Sequence, residues 1–315
     1  MTGVQVFKRS CKLMGNRFEL SVVADNQQWA EECIDKGVAE IKRIEQLLTT
    51  FSADSETNRI NAYAGIAPVI VSRETFNLIT RSLRISNLTQ GAFDISYGGI
   101  DKRLWNFDQQ MTTLPDPETA RRLVRLVNYK NIELNAADCS VFLKETGMRI
   151  GFGGIGKGYA AECAKRVMQA AGVQHGVVNA SGDLCTWGYQ PNGNPWTIAV
   201  SDPDRKDLAF SYLNISNMAV ATSGNYEKFI MVDGKKYSHT INPRTGLPVT
   251  GIKSVTIITT NAEVADALAT PVTIMGVDAG IHLIDQMNQI EAIIIDDNNR
   301  LYTSKNIQLK YPNNE

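Results

Sequence analysis

Ile150-Gly-Phe-Gly-Gly-Ile-Gly-Lys-Gly158 joins an apolar, strand-like run to a helix, and the rest of the chain is arranged around it. Tyr159, Cys163 and Val167 follow at helical spacing, and Gly172 is placed to end the helix. Glycines let a ligand approach the backbone, and a helix start offers free N–H groups and a positive dipole end. The turn therefore predicts a phosphate site; the alternative is a turn that only lets helix and sheet pack closely.

The common phosphate motifs do not describe this turn. A P-loop would need Ser or Thr after Lys157, and Gly158 stands there. Gly151, Gly153 and Gly156 match G-x-G-x-x-G by count, but no ribose-binding acid follows at the expected distance. The turn alone therefore does not name a nucleotide-binding fold.

Composition is that of a soluble globular enzyme. The 315 residues are 43% apolar and 21% charged with a net charge of −1, which argues against a nucleic-acid-binding protein. No run of 18 apolar residues predicts a membrane span, and five cysteines without C-x-x-C spacing predict reduced thiols. The N-terminus lacks the layout of a secretion signal, so we expect a cytoplasmic protein, or a membrane-anchored periplasmic one if a leader was trimmed.

Helix and strand patterns are interspersed without a visible boundary, so we expect one domain over residues 1–315. Predicted helices cover residues 29–48, 75–88, 118–127, 159–172 and 277–287, with further capped starts at Ser52 or Ser55 and at Asn261. Predicted strands lie at 4–23 around a turn at 14–16, and at 132–134, 141–143, 177–179, 196–200, 212–215, 219–222, 237–238 and 292–295. Residues 104–107 are predicted to be loop, and Pro271 to kink or restart its helix.

Few residues are candidates for chemistry. His239, in a turn rich in Asn, Arg and Pro, is the candidate general base, whereas His175 and His282 are predicted at the surface. Asp266 and Thr270 lie one helical turn apart and could offer two oxygens to a hard cation such as Mg²⁺. On spacing alone, an acid that stabilises the helix dipole is the simpler explanation of Asp266.

Seven segments of the chain resemble, in sequence and in order, the motifs of one protein family. They are Met14-Gly-Asn, Thr50-Phe-Ser-Ala-Asp-Ser-Glu, Gly91-Ala-Phe-Asp, Gly153-Gly-Ile-Gly-Lys-Gly, Ala221-Thr-Ser-Gly, Tyr237-Ser-His-Thr-Ile-Asn-Pro-Arg-Thr-Gly and Ala265-Asp-Ala-Leu-Ala-Thr. The chain resembles the ApbE family of FAD:protein FMN transferases. The resemblance implies an α+β fold of two intertwined halves, with mixed, largely antiparallel sheets and flanking helices. It also implies Mg²⁺-dependent cleavage of FAD, with FMN transferred to a Thr or Ser hydroxyl of an acceptor flavoprotein and AMP released.

The same resemblance assigns roles to individual residues. It implies that Asp266, Thr270 and the Gly154 carbonyl hold the metal, that Lys157 faces the pyrophosphate and that His239 is the base for the acceptor hydroxyl. The residues that match FAD-binding positions of the family are Met14, Phe51, Ala92, Phe93, Asp94, Gly151, Lys157 and His239.

Three positions depart from the family pattern. Gly151 stands where an acidic cofactor contact is common, Asn242 replaces an Asp after the histidine, and Phe51 replaces a frequent Tyr. Two other functions therefore stay open: hydrolysis of FAD to FMN and AMP, and flavin binding without turnover.

Overall fold

The computed structural model describes residues 3–100, 113–201, 209–224, 229–232 and 234–307, so the predicted loop at 104–107 lies outside the described residues. Its helices are α1 Gln27–Leu48, α2 Glu56–Ala62, α3 Arg73–Leu88, α4 Pro117–Leu123, α5 Gly156–Ala170, α6 Ala262–Met275 and α7 Val277–Ile284. Its strands are β1 Gln5–Leu13, β2 Asn16–Ala24, β3 Val69–Ile70, β4 Ile132–Asn135, β5 Ser140–Leu143, β6 Gly176–Ala180, β7 Asp183–Trp187, β8 Trp196–Ser201, β9 Ala209–Ile215, β10 Ala219–Gly224, β11 Phe229–Val232, β12 Lys235–Ser238, β13 Ile252–Thr259, β14 Glu291–Asp296 and β15 Leu301–Thr303.

One antiparallel sheet organises these elements. Its eight strands run in the order β1-β2-β6-β7-β10-β13-β14-β15, and three smaller sheets pair β3-β5-β4, β8-β9 and β11-β12. The paired strands in the described chain are antiparallel. The α+β prediction with largely antiparallel sheets is therefore confirmed.

Successive side chains of the central strands point to opposite faces of the sheet, and each face is covered by a different layer. Ile257 and Ile294 pack under α6, whereas their neighbours Ile258 and Ile293 pack with residues of β8 and β9 on the opposite face. This is the period of two expected of a sheet buried on both sides. Helices α1, α5 and α6 lie side by side on the first face, and α5 is in the middle.

Local sequence explains the elements that flank the site. The β1–β2 hairpin turns at Met14 and Gly15, whose φ angles of 50° and 72° suit a tight two-residue turn. Helix α1 begins at the Asn26 cap, whose side chain accepts from the Trp29 N–H at 2.9 Å. Ser55 caps α2 in the same way, accepting from the Asn58 N–H at 3.0 Å.

Two predicted helix ends are wrong, and one predicted restart is absent. Helix α6 continues through Pro271 to Met275 and packs against β10 and β13, so it does not restart at the proline, whereas the predicted kink stays a prediction. Helix α4 ends at Leu123, where the Val124 N–H bonds to a carbonyl three residues back. Helix α7 ends at Ile284, and the N–H groups of Gln286 and Met287 bond three residues back, which tightens the chain there.

The cysteine prediction is confirmed, since all five are free thiols and four of them are buried. Among the described residues, every helix is too short or too polar to cross a lipid bilayer.

Candidate functional site

The glycine-rich turn packs closely against a neighbouring helix at one glycine and has open space beside another. A Cβ on Gly158 would lie 2.1 Å from the Ala262 carbonyl oxygen, so this glycine lets α5 and α6 touch. A Cβ on Gly154 would instead meet only Phe93, at 3.6 Å. Ile155, the residue before α5, makes no side-chain capping bond; the Phe152 carbonyl, 2.6 Å from the Gly156 N, and the Asp266 carboxylate accept from the first N–H groups of the helix instead. Close packing at 158 and open backbone at 154 are thus combined in one turn.

Asp266 is the carboxylate that α6 brings to this helix start. It is buried, and its Oδ2 accepts from the Gly158 N–H at 2.9 Å. Burial, followed by the nearby Asp183 carboxylate, raises the pKa of Asp266 to about 7, although Lys157 and the backbone N–H groups oppose the shift. Asp266 therefore binds the start of α5 and not only the dipole of its own helix.

Asp183 is a site residue that the sequence reasoning did not identify. It is the first residue of β7, it is buried, and it forms an ion pair with Lys157. Its Oδ1 also accepts from the Thr222 N–H at 3.3 Å, and burial raises its pKa against the effect of Lys157. The available signal was an acid directly after the Ser181-Gly182 turn at the start of an apolar strand.

Charge and donor chemistry at this corner suit a divalent cation. Asp266 and Asp183 are two buried carboxylates, and Lys157 is the cation that both face. Thr270 lies one turn beyond Asp266 on α6 and is half-buried, and the Gly154 backbone has open space before it. Carboxylate, hydroxyl and carbonyl oxygens are the donors that Mg²⁺ prefers, so the residues present fit this ion.

Met14 and Phe93 both contact the glycine turn. Met14, in the β1–β2 turn, places its Cε 3.6 Å from a Cβ built on Gly156, and Phe93 lies against Gly154. Ala92 and Phe93 are both buried. These predicted cofactor positions therefore line the corner formed by the helix start.

The Asp94 carboxylate accepts hydrogen bonds from within the protein. Its Oδ1 accepts from the Ser96 N–H at 2.8 Å and the Ser96 hydroxyl at 2.6 Å, and its Oδ2 accepts from the Tyr129 N–H at 2.8 Å. Burial raises its pKa, and these hydrogen bonds oppose the shift. Asp94 thus holds the shape of the turn that carries Ala92 and Phe93, and its predicted contact with the cofactor stays a prediction.

Phe51 lies in the loop between α1 and α2. Its side chain is 99% exposed, an unusual state for an aromatic ring, and it lines a surface cavity of about 650 Å³ together with Thr49 and Ser55. The adjacent Thr50 places a methyl group 3.8 Å from a Cβ built on Gly151. An exposed ring beside the glycine turn is free to stack on a flat ligand.

His239 directly follows β12 and is exposed. Its turn is closed by Asn242, whose Oδ1 accepts from the Arg244 N–H at 2.9 Å. An amide oxygen accepts this bond as a carboxylate would, so the Asn found here preserves the turn. The Arg244 guanidinium donates to the Gln90 carbonyl, which fastens the His239 turn to the segment carrying Phe93.

A second group of acids does not belong to this corner. Glu40, Glu74 and Cys163 lie close enough to share a metal ion. Arg43, however, donates to both carboxylates at 2.7–2.8 Å and neutralises them. This cluster is therefore a structural ion-pair network.

An antiparallel α+β protein with buried acids and a lysine at a glycine-rich helix start has the features of an enzyme that acts on a phosphate-containing ligand. The family model of the ApbE family matches residues 14–294, so the chain belongs to the ApbE family. It is 32% identical over 314 residues to an FAD:protein FMN transferase of Klebsiella pneumoniae, covering 99% of this chain and 96% of that protein. It is 29% identical to the FAD:protein FMN transferase of Escherichia coli K12, covering 84% and 77%.

Solved structures agree with this assignment. The crystal structure of the ApbE protein from Thermotoga maritima is similar with a TM-score of 0.85 at 29% identity, over 96% of this chain and 97% of that one. The apo flavinyl transferase ApbE of Pseudomonas stutzeri is similar with a TM-score of 0.82 at 25% identity, over 96% and 95%. The family resemblance read from the sequence is therefore confirmed.

Proposed function

We propose that this protein is a Mg²⁺-dependent FAD:protein FMN transferase. The observation that carries the proposal is the corner where Asp266, Lys157 and Asp183 meet at the start of α5. Cleavage of a phosphoanhydride depends mainly on charge stabilisation and positioning, which is what such a corner offers. The names of the relatives supply the substrate, FAD, and the kind of acceptor, a protein.

The reaction balances without a further reactant. The acceptor's Thr or Ser oxygen bonds to the flavin-side phosphorus, and the bond from that phosphorus to the bridging oxygen breaks. The bridging oxygen leaves with AMP, and the hydroxyl proton passes to a base. The Lys157 ammonium and the positive end of the α5 dipole would bind and orient the pyrophosphate, which favours in-line attack.

Asp266, Thr270 and the Gly154 carbonyl would hold Mg²⁺. When bound, the ion supplies positive charge against the phosphate oxygens. Asp183 would keep Lys157 directed into the corner through their ion pair. These assignments depend on the fit of the donor set described above.

His239 would take the proton of the acceptor hydroxyl. Its exposure supports this role, because the acceptor is a macromolecule that has to approach from solvent. Arg244 and Asn242 keep the turn of His239 attached to the segment that carries Phe93. Base and cofactor pocket are thus linked through backbone contacts.

The test separates transfer from its two alternatives. The protein is incubated with FAD, with Mg²⁺ or with EDTA, and with or without an acceptor flavoprotein. AMP is measured by chromatography and bound flavin by fluorescence on a denaturing gel. We expect AMP and protein-bound flavin only when acceptor and Mg²⁺ are both present. AMP without acceptor would indicate hydrolysis, and FAD binding without AMP under all conditions would indicate a binding protein.

A further inference from the structure

Tyr97 stands at the glycine turn, and the function proposed above gives it no role. Its hydroxyl oxygen lies 2.2 Å from a Cβ built on Gly153 and 3.7 Å from one built on Gly151. The Gly153 N–H points to this oxygen, whereas burial and the nearby Asp266 carboxylate raise the tyrosine pKa. A tyrosine hydroxyl is a hydrogen-bond donor at neutral pH, and this one lies between the glycine turn and the Asp266 corner.

The backbone of Tyr97 is fixed on both sides. Its N–H bonds to the Asp94 carbonyl at 3.3 Å, and it forms a parallel β-bridge with Arg149. The next residue packs so closely that a Cβ on Gly98 would lie 2.8 Å from the Arg149 carbonyl oxygen. The Asp94 turn thus places Phe93 against Gly154 and Tyr97 against Gly153.

The hydroxyl has an unused hydrogen-bonding capacity. The Gly153 N–H faces it, and within the described parts of the chain it donates to no protein oxygen. A half-buried donor of this kind is stabilised by an acceptor, and the ligand of this corner is rich in acceptor oxygens. Gly151 itself contributes no side chain, and around it Tyr97 presents a hydroxyl whereas Thr50 presents a methyl group.

We propose that the Tyr97 hydroxyl donates a hydrogen bond to a phosphate oxygen of the bound dinucleotide and so positions FAD at the glycine turn. The proposal rests on the function proposed above and adds a cofactor-positioning residue that the sequence did not mark. The Tyr97 hydroxyl would also replace the polar contact that Gly151 lacks, because the tyrosine oxygen occupies the space beside that glycine.

Tyr97→Phe tests this with the ring, and hence the packing, retained. FAD affinity is measured by flavin fluorescence anisotropy with neither Mg²⁺ nor acceptor present, and the melting temperature is recorded in parallel. We expect the dissociation constant to rise by about tenfold, as for one lost hydrogen bond to a charged group. Tyr189→Phe, at an exposed tyrosine outside the corner, should leave it unchanged.

A second substitution separates positioning from a structural role. Serine at 151 has ordinary contact distances of 3.7–3.8 Å around its Cβ and would return a hydroxyl beside the lost one. Y97F combined with G151S should therefore recover part of the FAD affinity of wild type. Wild-type affinity in Y97F, or a weakened affinity that only follows a lower melting temperature and is not recovered by G151S, would overturn the proposal. If wild type itself binds no FAD, the function proposed above fails together with it.

Discussion

The start of α5 and the turn of His239 differ in how much of their chemistry is in place without a ligand. At the start of α5, Asp266 and Asp183 are buried and their oxygens are held by backbone N–H groups and Lys157. The histidine is exposed, and what is fixed there is the backbone of its turn. We infer from this difference that the phosphate side of the proposed site is preorganised, whereas the acceptor side is completed by the incoming protein.

The largest effect should come from Asp266→Asn. Asparagine keeps an oxygen for the Gly158 N–H, so the fold should survive, but the negative charge that would hold Mg²⁺ is lost. We expect AMP formation to fall by about a thousandfold, the order of magnitude of lost electrostatic stabilisation at an active site. Asp278→Asn, which removes an exposed acid from the first turn of α7, is the matched control. Turnover equal to that of the control would remove Asp266 from the chemistry.

His239→Gln should affect the acceptor side alone. Removing a general base lowers the rate of transfer by about a hundredfold or more, whereas FAD binding at the helix start should be unchanged. The measurement is the rate of acceptor labelling beside an anisotropy titration with FAD. A loss of FAD affinity as large as the loss of rate would show that the two regions are not separable in this way.

Gly158 allows two helices to pack closely, whereas Gly154 has open space beside it, and alanine at each position tests this difference. Alanine at 158 would gain about 1 kcal/mol of helix propensity but place its Cβ 2.1 Å from the Ala262 carbonyl, so we expect a net loss of about 2 kcal/mol or more. Alanine at 154 meets only Phe93 at 3.6 Å and should leave the free energy of unfolding nearly unchanged while weakening FAD binding. Denaturant unfolding and FAD titration of both variants check this, and equal stabilities would contradict it.

The structural features that the sequence alone predicted are those that depend on residues close together in the chain. The hairpin at Met14-Gly15 and the helix that became α1 were both readable, because turn residues and helical periodicity are local signals. The pairing of Lys157 with Asp183 was not, since it depends on which strand the sheet places beside the start of α5. The same limit applies to Tyr97, whose contact with Gly153 spans more than fifty residues of chain. The metal and base assignments came from the family resemblance and stay predictions.

The smallest expected effect concerns the ion-pair network outside the corner. Arg43 and, less strongly, Tyr159 lower the pKa of Glu74 below its ordinary value of 4.5, although burial opposes them. Because the folded protein binds this proton more weakly than the unfolded chain, the stabilisation is complete above the unfolded pKa and is lost as the pH falls through the folded one. Glu74→Gln should therefore cost about 1 kcal/mol at neutral pH and flatten the acid limb of the stability curve between about pH 5 and pH 3.

Thermal melts of Glu74→Gln across that pH range check the sign, with Glu32→Gln, an exposed change on α1, as the control. AMP formation at neutral pH should be that of wild type, because the network contacts α5 through Tyr159 on a side that Arg43 already neutralises. Melting curves that run parallel to those of wild type would show that Glu74 is not the titrating group. A loss of Mg²⁺-dependent turnover would instead connect this network to the corner, and the separation between the two acid clusters would have to be abandoned.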